Sequence, residues 1–313
     1  MLPLVLEAGN PAHGGYCVSR ISDDDPSGLG GKVALVTGTL PGERVEAEVL
    51  EDHPRHLIAR TTRVLTPSPD RVEHVWPLAA ATGVGGADLG HVAPAAQVRW
   101  KEAVIRDVMR RIGGPEVAEA VGEVPVRTLP GGVVGWRTRV GFVVDQEGRP
   151  AMRRGNSHEL VAVDSMPLAV AELDELDLFG GGWDLEPGTQ VRAVAPSDSR
   201  PVLVTPGAVF SAPGRSAGAR VRELVTTDSG TYRYAVHAAG FWQSHRAAPS
   251  VLVRAVLDAA RLAGGERVLE LYSGAGLFTV PLAEAVGQRG RVSALEGARA
   301  AVEDARANLS RHP

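Results

Sequence analysis

Residues 266–296 constrain the fold more than any other stretch: ERVLELY, then SGAG, then LFTVPLAEAV, then RVSALE. A short apolar run passes through a glycine turn into a run with helical spacing and out into a second apolar run, which predicts strand, loop, helix, strand. A second helix, ARAAVEDARANLS, follows. That alternation is the start of a parallel α/β sheet. Gly274 and Gly276 let the backbone approach a nucleotide-like ligand at the carboxyl ends of the strands. Glu296, 22 positions after Gly274, ends the second strand, where a carboxylate can accept ribose hydroxyls. Thr279 occupies the place of a third fingerprint glycine, which disfavours a pyrophosphate ligand and a nicotinamide-dependent enzyme. The residues alone leave a purely structural turn open as the alternative.

Upstream, residues 1–66 carry short alternating runs, GGYCVSR, GKVALVTG, ERVEAEVLED and HLIARTTRVL, with an LPGE turn at Leu40–Glu43. These predict a small antiparallel barrel. TPSPDRV reads as a linker, and Ala95 to Ile112 as a helix stopped by Gly113-Gly114. Strand-like runs return from 122 to 240, interrupted by one short helix in LAVAELDEL, and Pro249 opens a further helix. The expected architecture is multidomain: a barrel over 1–66, a mostly β central α+β domain over 67–238, and the start of an α/β Rossmann-like domain over 239–313.

Charge and thiol content narrow the function. The net charge of −4 carries no global nucleic-acid signature, so a nucleic-acid partner must be held by local patches. The densest such patch is residues 136–154, where Arg137, Arg139, Arg149, Arg153 and Arg154 face only Asp145 and Glu147. Arg137 and Arg139 alternate beside Trp136, an arrangement suited to phosphate contact and base stacking on RNA, with a solvated strand face as the alternative. One cysteine, Cys17, excludes an intrachain disulfide and any multi-thiolate metal site. No long apolar run or signal-peptide pattern is present, so no membrane association and a cytoplasmic location are expected. No protein partner is predicted.

ELYSGAGLFTVPLA, residues 270–283, resembles the first S-adenosylmethionine motif of the RNA (uracil-5-)methyltransferase family, and FWQSH, residues 241–245, resembles that family's Phe-aromatic-Gln element. HGGYCV through RTTRVL is similar to a TRAM domain, the RNA-binding barrel that opens many of these enzymes. The resemblance implies S-adenosylmethionine as cofactor, with Gln243, Tyr272, Gly274, Gly276 and Glu296 at contacting positions. It implies methylation of uridine in ribosomal or transfer RNA to 5-methyluridine; the local positive charge, and not the resemblance, predicts Arg137, Arg139, Arg153 and Arg154 as the RNA contacts. Leu277 stands where many relatives have Asn, and Glu303 and Asp304 are expected on a solvated helix face.

Two family features are absent. Where relatives carry cluster-ligating cysteines, this chain has Trp76, Ala87 and Met166, so no iron-sulfur cluster is expected. The family's reaction adds a cysteine thiolate to C6 of uracil and removes the C5 proton with a carboxylate, and both groups lie beyond the second helix of the methyltransferase domain. The chain stops at Pro313 before them, and Cys17 matches no nucleophile position. The expectation is that the isolated chain is inactive; a noncatalytic RNA-binding protein is the alternative reading.

Overall fold

The computed structural model describes residues 4–155 and 157–310. The chain divides into two compact units, Met1–Thr128 and Leu129–Pro313. In the first, β1 (Leu4–Glu7), β2 (Tyr16–Arg20), β3 (Val33–Thr37), β4 (Arg44–Asp52) and β5 (His56–Thr66) form a sheet of order β1-β4-β5-β3-β2. All pairings are antiparallel except β3 with β5, which run parallel, a departure from the expected all-antiparallel pattern. Past β1 the chain turns along β2, where Gly9 N–H donates to Val18 O at 3.0 Å and Ala12 N–H to Tyr16 O at 2.7 Å. Both edges of this curled sheet thus approach each other. Strand alternation turns Leu4, Leu6, Ala34, Val36, Val45, Ala47, Leu57 and Ala59 into one core.

TPSPDRV is not a free linker. Ser68 N–H donates to Glu43 Oε1 at 3.0 Å, and Arg71 pairs with the same carboxylate, tying residues 68–71 onto the barrel. α1 (Pro77–Thr82) and α2 (Pro94–Val108) follow, and Trp100 of α2 packs on Ala8 and Cys17. The expected single helix to Ile112 instead widens into a π-turn at Met109–Gly113 and restarts as α3 (Gly114–Val121), because Gly114 at φ 85° breaks the helical path. Residues 67–128 therefore go with the barrel unit.

The second unit contains β6 (Arg139–Val144), β7 (Pro150–Arg153), β8 (Leu160–Ala162), β9 (Gln190–Val194), β10 (Val202–Thr205), β11 (Ala208–Ala212) and β12 (Arg215–Ser216) in a sheet of order β12-β11-β10-β9-β6-β7-β8. The helix expected in LAVAELDEL is one 3-10 segment, Ala171–Leu176. A hairpin of β13 (Arg220–Thr227) and β14 (Gly230–His237) then leads to α4 (Ala248–Ala260), with Pro249 in its first turn. Finally β15 (Arg267–Leu271), α5 (Thr279–Val286), β16 (Arg291–Leu295) and α6 (Arg299–Leu309) form a right-order β-α-β-α run whose two strands pair parallel. The residues expected as strand and helix in this segment agree with the structure to within a residue or two. Tyr232, Tyr234, Trp242, Val253, Ala275, Leu277 and Val280 make its core, so the hairpin and the last segment share one interior. One face of the parallel pair is uncovered, leaving Leu269, Leu271 and Leu295 more than half exposed. Among the described residues no helix is long and apolar enough to cross a membrane.

Candidate functional site

The glycine loop is fixed by backbone geometry that only part of its sequence prefers. Gly274 and Gly276 take φ 55° and φ 91°, and Tyr272 shares the left-handed region at φ 59°. A bulky residue there carries strain of about 1–3 kcal/mol and is 91% exposed, so packing does not explain it. No heavy atom lies within 4 Å of where a Cβ on Gly274 would stand, so the loop presents open backbone. Gly276 N–H donates to Ser273 O at 3.0 Å, closing the turn, and Gly276 O receives Val280 N–H at 3.2 Å, starting α5.

Glu296 lies against this loop. One carboxylate oxygen accepts Gly274 N–H at 2.8 Å and the other accepts Ala298 N–H at 2.7 Å. The Ala298 and Gly274 N–H groups hold its carboxyl below the usual carboxylate range, so it is ionised at neutral pH. Glu270, at the end of β15, is buried; burial pushes its carboxyl up, partly offset by Thr279 Oγ1, which donates to Oε2 at 2.6 Å. Glu270 Oε1 is buried with no partner among the described residues. An orphaned acceptor and a fixed carboxylate thus flank an exposed backbone turn, a set suited to a polar ligand bearing hydroxyls and an amine.

The support behind the loop was missed by sequence reasoning. Tyr234 OH donates to Leu277 O at 2.9 Å, and Asn308 Nδ2 donates to Ala275 O at 3.0 Å and Ala235 O at 3.2 Å. Ala235 N–H in turn donates to Asn308 Oδ1 at 2.8 Å. Asp304 is not on a solvated face: it is 1% exposed and accepts Arg220 Nε at 2.6 Å and His237 N–H at 2.7 Å. Only Glu303 is exposed, paired with Arg299 along the helix. The signal was present in the spacing, since Asp304 and Asn308 lie one turn apart with Ala305 between them.

Gln243 is half-buried beside Trp242, which packs into the same core as Ala275 and Leu277. The segment also meets the arginine patch. Thr138 N–H donates to Ser244 O at 2.7 Å, and Trp136 stacks on His245 with centroids 5.2 Å apart. Arg137 lies over the Trp136 ring at 5.8 Å and donates Nε to Arg139 O.

The four arginines do not share one face. Arg139 is 6% exposed and donates to Glu223 Oε1 at 2.8 Å, so it is removed from the set able to meet phosphate. The physical reason is that Arg137 precedes β6, whereas Arg139 starts the strand and turns into the core. Arg154 is half-buried against Glu159 at 3.0 Å, and Arg153 is exposed.

Cys17 is fully buried, donates Sγ–H to Thr39 O at 3.6 Å, and has its thiol pushed up to about 12 by burial and then by the Glu43 charge. Such a thiol is neutral and inaccessible, which removes it as a nucleophile. A colorimetric disulfide reagent at pH 8 is expected to label no thiol in the folded chain and one in denaturant; rapid labelling of the folded chain would contradict this placement. Trp76, Ala87 and Met166 are all buried, with apolar side chains in the positions where the family resemblance expects thiolates.

This chain is similar to known proteins to different extents. A profile of the protein-L-isoaspartate(D-aspartate) O-methyltransferase family matches residues 224–313. An uncharacterized RNA methyltransferase of Bifidobacterium longum is 37% identical across 94% of this chain and 70% of its own length. One of Streptomyces coelicolor is 37% identical across 97% of this chain and 70% of its own. The 23S rRNA (uracil(1939)-C(5))-methyltransferase of Halomonas elongata is 30% identical across 96% of this chain and 67% of its own. In fold, the chain is similar to the Pyrococcus abyssi tRNA (uracil-54, C5)-methyltransferase crystallised with S-adenosyl-L-homocysteine, with a TM-score of 0.61 at 19% identity, covering 98% of this chain and 77% of that one. Identity of this level over this span, on top of the glycine loop and its fixed carboxylate, makes the chain a member of the RNA (uracil-5-)methyltransferase family of S-adenosylmethionine-dependent enzymes.

Proposed function

We propose that residues 272–276 and Glu296 bind S-adenosylmethionine, with the ribose hydroxyls at the Glu296 carboxylate, for methylation of uridine C5 in ribosomal or transfer RNA. The observation that carries the cofactor reading is the Glu296 carboxylate, ionised and held against the loop by Gly274 N–H and Ala298 N–H. Each of its oxygens keeps acceptor capacity for a hydroxyl beyond the one backbone bond it already makes. Tyr272 offers an exposed ring at the loop mouth, Glu270 Oε1 an unsatisfied acceptor, and Gln243 an amide on the adjoining segment. The cofactor, when bound, supplies an activated methyl group on its sulfonium. The chain's own residues hold it: the glycines by close backbone approach, Glu296 by charge-assisted hydrogen bonds.

The barrel of the first unit and the Trp136–Arg137 corner of the second are the RNA-facing elements in this reading, with Arg153 and the partly paired Arg154 as further phosphate contacts. In this reading the first unit and the central sheet serve RNA, and the hairpin β13–β14 with residues 239–313 serves the cofactor.

Glu296→Ala is expected to weaken S-adenosylmethionine binding by about 1–3 kcal/mol, the scale of losing a charged hydrogen-bond partner. Isothermal calorimetry on the 313-residue chain measures it. Equal affinity in the two proteins would remove Glu296 from the site. A wild-type chain that binds RNA and no S-adenosylmethionine would favour a noncatalytic binding module.

A further inference from the structure

The central sheet carries a cavity of about 450 Å³ on the face opposite Phe142 and Val144, lined in part by Val204 at the edge of a buried cluster with Val194 and Val202, and none of the glycine loop's residues lines it. Its construction follows from strand alternation. On β6, Val140, Phe142 and Val144 are buried, so Gly141 and Val143 point the other way. Pairing extends that outer face across three neighbours: Gly141 opposite Arg192, Val143 opposite Gln190 and Ala151, and Val204 opposite Arg192. Arg153, two residues beyond Ala151 on β7, shares the face.

The lining has three chemical parts. Gly141 leaves the floor without a side chain, flanked by half-buried Val143 and by the margin of buried Val204. Arg153 and Arg192 supply two positive charges, neither in an ion pair among the described residues. Arg192 donates Nη1 to Ala239 O at 2.9 Å at the rim, which fixes its side chain without neutralising it. Gln190 adds a donor and an acceptor, and no carboxylate lines the cavity. Two arginines beside an apolar floor with one amide match a flat apolar ring joined to an anion, and the volume is in the range of small-ligand pockets, about 300–1,000 Å³. A nucleotide has those parts, and an unstacked base of a single strand can lay its ring on the apolar floor, whereas a base of a duplex has both its faces stacked.

We propose that this face of the central sheet is a binding site for one unstacked nucleotide of single-stranded RNA, with Arg153 and Arg192 on its phosphates and the base over Gly141, Val143 and Val204. The site rests on the reading of the chain as an RNA-binding methyltransferase and adds a specific position to it. Sequence reasoning reached Arg153 but not Arg192, because the two are brought together only by the β7-β6-β9 order.

The test uses fluorescence anisotropy of a labelled single-stranded RNA, repeated over a salt series, with a hairpin duplex and inorganic phosphate as competitors. Arg153→Gln with Arg192→Gln removes two charges and is expected to make the slope of log affinity against log salt shallower by roughly 1.4, at about 0.7 per single-strand phosphate contact. Gly141→Leu fills the floor while keeping both charges. Gly141 is not in the left-handed region and a Cβ there meets only Val191 O, at 3.9 Å, so the chain accommodates it. This variant is expected to bind roughly tenfold more weakly, the scale of one lost base contact, with its salt slope retained. Single-stranded competitor should displace the probe better than duplex, and phosphate should not displace it at equal concentration. Wild-type binding with both variants indistinguishable from it overturns this site and leaves the proposed function standing. A wild-type chain that binds no RNA overturns both. Retained S-adenosylmethionine affinity in the variants shows that the fold is intact.

Discussion

Arg139→Met is expected to destabilise the second unit by about 3–5 kcal/mol, the cost of leaving a buried charge without its partner. Arg139 and Glu223 are both nearly inaccessible, and Glu223 Oε2 already takes Ser197 N–H at 3.0 Å and Ser197 Oγ at 2.9 Å. Those two bonds cannot replace the guanidinium. The pair is itself imperfect, because Arg139 Nε and Nη1 are buried without partners and burial holds the guanidinium below its ordinary range, against the pull of Glu223. Replacing both members by apolar residues, Arg139→Met with Glu223→Leu, should therefore recover most of the loss. Urea denaturation followed by hydrogen exchange in β6 and β13 measures both proteins. If the single variant loses RNA affinity and no stability, Arg139 reaches RNA after all.

Arg71→Met should have a comparable effect on the first unit, about 3–5 kcal/mol at pH 7. Glu43 is fully buried and accepts from Leu40 N–H at 2.8 Å, Ser68 N–H at 3.0 Å and Arg71 Nε at 2.6 Å. Burial pushes its carboxyl up, but the Arg71 hydrogen bond, the Ser68 and Leu40 N–H groups and the Arg71 charge outweigh it and hold the group below its ordinary value. A depressed carboxyl contributes stability above its unfolded pKa, about 4.3, that is lost as pH falls through the folded value. Without Arg71 the sign reverses: the carboxyl moves up, and its protonation relieves the variant. The stability gap between the two proteins should therefore narrow as the pH is lowered from 7 toward 3.5. A gap independent of pH would mean that Arg71 acts through packing alone.

The sequence shows short-range structure well and long-range pairing poorly. β15, the loop, α5, β16 and α6 were legible because each is set by local periodicity and by glycines at turns. The barrel strands were legible by alternation, but not the parallel β3–β5 pair, which depends on where the fourth strand goes. Gly274, Gly276 and Glu296 stand out by spacing, and the structure puts the Glu296 carboxylate on Gly274 N–H. Arg139 was misplaced because period-two spacing says which residues share a face and not which face is covered, and its partner is 84 residues away. TPSPDRV has the composition of a linker, and its anchoring depends on Glu43, 28 positions before Arg71.

The hydrogen bonds from α6 to β14 bear on how such chains can exchange parts during descent. A splice at residue 239, where the sequence suggests a boundary, would pair a foreign α6 with this hairpin and leave the Arg220 guanidinium and the His237 ring without the Asp304 carboxylate. A splice ahead of Arg220 would carry the hairpin along and keep every one of those bonds. The heritable module is thus the hairpin together with the cofactor segment, whereas the profile match begins at residue 224, inside β13 and beyond Arg220.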